Sequence, residues 1–183
     1  MNWIIPGTTL TELRENADHV EDIFHSMFLA GGMVLSQVSA VTGLEAYTIQ
    51  NWVKRGFLAP PKNKRYDLEQ VCRIITINML KGALPLEKIC SMMQYINGDL
   101  TDESDDIIDD AVLYFMFVKL AARARHIGGD QAWDDALEEA TASYTEPYPG
   151  ARDRVTRVLR TMLMAWIASR FKQQVDEMVD SLK

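Results

Sequence analysis

The stretch LSQVSAVTGLEAYTIQNWVKRGFLAPP, residues 35 to 61, constrains the fold more than any other part of this chain. Two segments with helical apolar spacing are separated by Thr42-Gly43 and closed by Gly56 and Pro60-Pro61. The spacing predicts a helix from Ser36 with Val38 and Val41 turned inward. It predicts a second from about Glu45 to Arg55, anchored by Ile49, Trp52 and Val53 and ended by Gly56 as its C-cap. The proline pair cannot join a regular helix interior. Two short helices at a tight turn have to be packed by elements from the rest of the chain.

Those elements follow from the same kind of reading. Thr9 and Glu12 have the spacing of a capping box, and Leu10, Leu13, Ile23, Phe24, Met27 and Phe28 continue a helical pattern to Gly31-Gly32, with a break near Asn16 to Asp18. After the prolines comes the polar run Lys62-Asn63-Lys64-Arg65, flanked by the only short extended pieces the pattern suggests. Asp67 can cap a helix carrying Val71, Ile74, Ile75, Ile77 and Met79; Lys81-Gly82-Ala83 interrupts it, and Pro85 opens another through Tyr95. Beyond Asn97-Gly98, acids lead and Arg123, Arg125 and His126 trail, the order a helix dipole favours, so one helix is expected from about Thr101 to Ile127. A shorter helix around Trp133, Leu137 and Ala140 and a long one from Arg152 complete an all-α fold with at most a small hairpin. Three regions result: an N-terminal helix over 1–32, a central unit over 33–98 and a C-terminal helical region over 99–183.

At 183 residues and about half apolar, the chain can bury a substantial core. The net charge of −7 argues against a protein that coats nucleic acid or membrane over its whole surface. The charge is uneven, however. From Trp52 to Cys90 eight cations meet three acids, a local +5 that leaves −12 for the remainder, and a basic island in an acidic chain suits a polyanion on one face. The start shows no secretion signal, and the run AVLYFMFV is too short to span a bilayer. Cys72 and Cys90 suit reduced core positions in a cytoplasmic protein.

Enzymatic and metal chemistry find little support. GxSxG, Walker and GxGxxG motifs are absent, and His19, His25 and His126 stand apart, so no catalytic, cofactor or metal site is expected. The acids Asp102, Glu103, Asp105, Asp106, Asp109 and Asp110 lack the alternation and turn glycine of a calcium loop and read as a solvated helix start. Tyr114, Phe115, Phe117 and Trp133 read as core, although the helices after residue 107 leave room for an unknown small-molecule effector. Met164, Ile167, Phe171, Val175, Met178 and Leu182 recur at spacings of three and four in the last helix, a stripe that serves equally to pack on its own domain or to form a dimer seam.

The order helix, Gly turn, helix, Pro-flanked basic loop, helix, helix resembles the MerR-type winged helix-turn-helix. Leu35, Val38, Val41, Thr42, Gly43, Leu44, Thr48, Ile49, Gly56, Leu58 and Pro60 match that family's opening pattern; KRYDLEQV resembles its wing exit at Tyr66, and GALPLEKI the entry to its fourth helix through Leu86, Glu87 and Ile89. About residues 33 to 95 are covered. The same segment and the following GDLTDES also resemble a bacterial family of unknown function that carries a MerR-like helix-turn-helix with further helices around it.

The resemblance implies that the second helix enters a major groove and the wing reaches the flanking backbone. Tyr47, Gln50, Asn51, Lys54 and Arg55 would then belong to the reading helix, and Lys62, Lys64 and Arg65 to the wing. Gln and Asn can pair bidentately with adenine, and Lys can meet phosphate or guanine. The family commonly has Arg, Arg and Tyr where Tyr47, Gln50 and Asn51 stand, so its base contacts do not transfer to these positions. The expectation is a bacterial transcriptional regulator that binds double-stranded DNA, as a homodimer. The alternative is a protein-interaction module that kept the fold and lost the DNA.

Overall fold

The computed structural model describes residues 2–98, 100, 105–124 and 130–182, with no side-chain description for 130 and 131. The order is β1 (Asn2–Ile4), β2 (Thr11–Leu13), a 3-10 segment (Arg14–His19), α1 (Val20–Phe28), β3 (Met33–Val34), α2 (Leu35–Thr42), α3 (Ala46–Lys54), β4 (Arg65–Tyr66), α4 (Leu68–Leu80), α5 (Leu86–Asn97), α6 (Asp110–Arg123), α7 (Asp130–Thr141) and α8 (Ala151–Asp180). The fold is mostly helical with two small antiparallel sheets. β1 pairs with β2 through Trp3 and Glu12, and β3 pairs with β4 through Met33 with Tyr66 and Val34 with Arg65.

The N-terminal hairpin corrects the expected first helix. Thr9 does not cap a helix, because its hydroxyl donates to the Ala40 carbonyl at 2.7 Å and its amide to Val41 O at 2.7 Å. Glu12 instead accepts from the Leu13 amide and from Asn16 Nδ2, so neither half of a capping box forms. Helical spacing becomes true helix only at Val20, where Val20 and Phe24 are buried. The hairpin turn sits hard on α4: Gly7 has φ +77°, and a Cβ there would lie 2.6 Å from the Ile75 carbonyl oxygen. Asn78 ties the assembly together by donating from Nδ2 to Gly7 O at 2.9 Å and Thr42 O at 2.8 Å.

α4 is the centre of the molecule. Every residue from Val71 to Ile77 is buried, the all-round burial of a helix enclosed by others, and α6 packs along it. The expected cap is present. Asp67 Oδ1 accepts from the Gln70 amide at 2.9 Å while Gln70 Oε1 accepts from the Asp67 amide at 3.1 Å, a reciprocal arrangement of about 1 kcal/mol. Gln70 Nε2 also donates to Pro60 O, fixing the proline pair against the start of α4.

α6 is shorter than the sequence suggests. Among the described residues the acidic segment 105–109 is not α-helical, because the Ile107 amide donates to Ile96 O at 3.1 Å and the Tyr144 hydroxyl donates to Ile107 O. Burial of Ile107 and Ile108 draws that segment across the end of α5 instead of into a helix. Asp102, Glu103, Arg125 and His126 lie outside the described residues. Tyr114, Phe115 and Phe117 are core, with Phe24 packed edge-on against Tyr114 and Phe115 and the Tyr114 hydroxyl donating to Pro6 O.

Candidate nucleic-acid interface

α2 ends where Gly43 takes the left-handed conformation, φ +69°, and its amide donates to Ser39 O. Thr42 donates back to Val38 O and accepts from the Leu44 amide, so the turn into α3 has its polar groups satisfied. α3 buries Ile49 and Trp52 on one side. With 3.6 residues per turn, Tyr47, Gln50, Asn51 and Lys54 share the opposite side, and all four are exposed, Tyr47 at 72%. Trp52 is core, as its spacing requires, and Lys81 lies 5.9 Å from its ring.

The turn after the prolines is a compact two-residue hairpin. Lys62 bridges Arg65, whose amide donates to Lys62 O at 2.9 Å, and Asn63 and Lys64 have φ of +51° and +62°. Two successive left-handed residues define a type I′ turn, in which Asn-Gly is the favoured pair. Lys64 occupies the position where glycine would be free of strain, and it projects from the tip. Arg65 is exposed but already engaged, donating to Gly32 O at 2.8 Å and so bracing the turn against the approach to β3.

The basic island divides once its contacts are known. Arg73 is interior, its guanidinium 3.0 Å from Asp110 with side-chain exposures of 8% and 11%. It also reaches Phe57 O just beyond α3 at 3.4 Å, and Asn97 Nδ2 approaches Asp110 Oδ1. Asp110 is therefore not the solvated acid that the charge run suggests. Burial pushes its carboxyl up, while Arg73 pulls it back down. Glu69 accepts from the Ala111 amide at 2.7 Å at the start of α6; desolvation of that carboxyl, with Asp109, Asp110 and Asp67 nearby, raises it to about 7. Desolvation and the same acidic neighbourhood lift Asp106 to about 6.

At the surface, Arg55 pairs with Glu87 at 2.8 Å and lies over the Phe57 ring. Lys54, Lys62 and Lys64 carry no ion pair among the described residues. Of the eight residues singled out from sequence, Tyr47, Gln50, Asn51 and Lys54 form one helix face and Lys62, Lys64 and Arg65 one hairpin. Arg55 is bound into a side contact with α5. No local pattern signals the Arg73–Asp110 pair, because the partners lie far apart in the chain. Among the described residues no helix is long and apolar enough to cross a membrane, and no cluster of three metal-ligating side chains is present. An open groove of about 910 Å³ lies between residues 4–8 and the Trp166 to Glu177 stretch of α8, and Trp166 on its wall packs edge-on against Phe117 of α6.

The family model described as Domain of unknown function (DUF1836) matches residues 18–117, more than half the chain, and the chain belongs to that family. The match runs from α1 through most of α6 and so takes in α3, the hairpin and the Arg73–Asp110 pair. The chain is also similar to the "Uncharacterized protein YkrK" of Bacillus subtilis (strain 168), with 26% identity over 116 residues, covering 61% of this chain and 50% of that protein. The chain thus spans half the length of that relative. No solved structure matches.

Proposed function

We propose that this protein binds double-stranded DNA through the exposed face of α3, with the Lys62–Arg65 hairpin as a wing on the flanking backbone, and acts in bacterial transcriptional control. This reading assigns residues 33–98 to a MerR-like winged helix-turn-helix. The observation that carries it is the outward row Tyr47, Gln50, Asn51 and Lys54 on a helix whose other side is locked into the core by Ile49 and Trp52. That pairing gives a rigid element with side chains able to read base edges and none committed to the fold. Gln50 and Asn51 are the specificity residues, through bidentate contacts of the kind amides make with adenine. Lys54, Lys62 and Lys64 supply charge to phosphates, and Tyr47 offers both a hydroxyl and an aromatic surface.

The test is selection of bound fragments from a fragmented bacterial genomic library, followed by sequencing. Wild type is expected to enrich a short common motif. Gln50→Ala/Asn51→Ala should lose or change that motif while the protein keeps its melting temperature, since both side chains are solvent-exposed. Enrichment of no motif, together with unchanged retention of DNA by a Lys62→Ala/Lys64→Ala variant, overturns the assignment. It would favour the alternative of a protein-binding module.

A further inference from the structure

Two walls of different origin face each other across the open groove of about 910 Å³, the turn over residues 4–8 on one side and Trp166 to Glu177 of α8 on the other. The turn is held by its own bonds and from behind. The Ile5 amide donates to Leu10 O at 2.9 Å and the Thr8 hydroxyl to Ile5 O at 2.9 Å. Asn78 of α4 donates to Gly7 O, and the neighbouring Thr9 donates to Ala40 O of α2. On the opposite wall the Trp166 ring is fixed edge-on against Phe117, with centroids 6.0 Å apart. A concavity whose walls are both fixed by the fold is preformed, and its size falls in the range of roughly 300–1,000 Å³ typical of small-molecule sites.

The lining combines open apolar surface with one uncommitted charge. Ile4 and Phe171, one on each wall, are 61% and 65% exposed, and apolar side chains left open on facing walls favour an apolar occupant. Arg170 lines the same wall as Trp166, its guanidinium 5.1 Å from the centroid of that ring. Stacking on an indole orients the planar guanidinium while leaving its N–H fork free, and Arg170 carries no ion pair among the described residues. Glu177 also lines the groove, but it lies about two helical turns further along and already accepts from Gln173 Nε2 at 2.9 Å. An anion is therefore drawn to the Arg170 end, and a carboxylate matches the guanidinium fork. We infer that the groove binds a small planar aromatic carboxylate, its ring against Trp166, Phe171 and Ile4 and its carboxylate paired with Arg170. Aromatic rings on the α8 wall favour an aromatic ligand over an aliphatic one. The inference stands apart from the DNA reading, because it uses no residue of α3 or of the hairpin.

The test is calorimetric titration of the full chain with naphthoate, and with naphthalenemethanol as a neutral probe carrying the same ring. Wild type should bind naphthoate with a Kd on the order of 100 μM. The alcohol should bind at least about tenfold more weakly, the effect of losing one charge-assisted contact. Arg170→Met should lower naphthoate affinity to the level of the alcohol and leave the alcohol unaffected. Ile4→Glu, which sets an acid on the facing wall, should weaken naphthoate by at least about tenfold. Both positions are exposed, so both variants should keep the wild-type melting temperature. Absence of naphthoate binding, equal affinity for the two probes, or indifference of naphthoate to either substitution overturns the inference. Naphthoate affinity that falls as the protein concentration is raised would assign the groove to a second copy of the chain, and overturns it as well. Since no DNA enters any readout, each of these results leaves the DNA proposal to its own test.

Discussion

The side of α4 that meets α6 and the hairpin tip at Asn63-Lys64 are both cationic, and the fold treats them in opposite ways. Arg73 is closed in with Asp110 and reaches Phe57 O, so its charge joins the end of α3 to the start of α6. Lys64 is held out in a left-handed conformation and carries no ion pair among the described residues. One cation is engaged inside and stabilises the arrangement only as half of a pair. The other costs a little stability and is left available to a ligand. Charge counted along the sequence treats them alike, and the difference appears only when each is asked what touches it.

The largest effect should come from breaking the interior pair on one side only. Arg73→Met leaves Asp110 buried and uncompensated, and should cost about 3–5 kcal/mol of unfolding free energy by urea denaturation. Arg73→Met/Asp110→Leu should recover much of that loss, because no buried charge is then left alone. If the single variant loses less than about 1 kcal/mol, Arg73 is not the structural cation described here.

At the tip the expectation reverses. Lys64→Gly meets the Asn-Gly preference of a type I′ turn and should raise stability by about 0.5–1 kcal/mol while lowering DNA affinity. A loss of stability would mean that the Lys64 side chain packs on the fold. Lys54→Ala, on the exposed face of α3, should change stability by less than about 0.5 kcal/mol and weaken DNA binding at low salt.

A small effect also depends on pH. The Glu69 carboxyl is raised in the folded state to about 7 from its ordinary value of 4.5, so the native protein holds that proton more tightly than the unfolded chain. Stability from this group is fully present below about pH 4.5 and is lost as pH rises through 7. Glu69→Gln keeps an acceptor for the Ala111 amide and removes the titration. It should therefore melt higher than wild type at pH 8 and no higher at pH 5, by under about 1 kcal/mol because the residue also reaches solvent. A gain that is equal at both pH values would assign the effect to something other than this proton.

How far the sequence could be read depended on how local the cause was. Gly43, Gly56, Asp67 and Pro85 act on the turn of chain they sit in, and α2, α3, α4 and α5 lie where those residues put them. Trp52 was recognisable as core from periodicity and the α6 aromatics from residue type, whereas of the two cysteines expected in the core Cys72 is buried and Cys90 only half-buried. The first thirty residues misled, because Leu10 and Leu13 fit helical spacing while Thr9 was already committed to carbonyls of α2, far along the chain. The acidic run misled for a similar reason, since Ile107 and Ile108 are drawn to α5 and Tyr144. The exposed row on α3 was legible as a face but not as a free one. That required knowing that Arg55 turns aside to Glu87 and Arg65 to Gly32 O, while Lys54, Lys62 and Lys64 do not.

The most direct test of the central claim is the salt dependence of DNA binding by fluorescence anisotropy, on the tightest fragment from selection, for wild type and Lys62→Ala/Lys64→Ala. Arg65 is left in place because it braces the hairpin. If α3 and the wing contact DNA as proposed, wild-type affinity falls steeply as salt rises, and the double variant binds more weakly with a log–log slope shallower by about 2, one phosphate contact for each lysine removed. Equal slopes and equal affinities for the two proteins, or no binding by either at low salt, would contradict it.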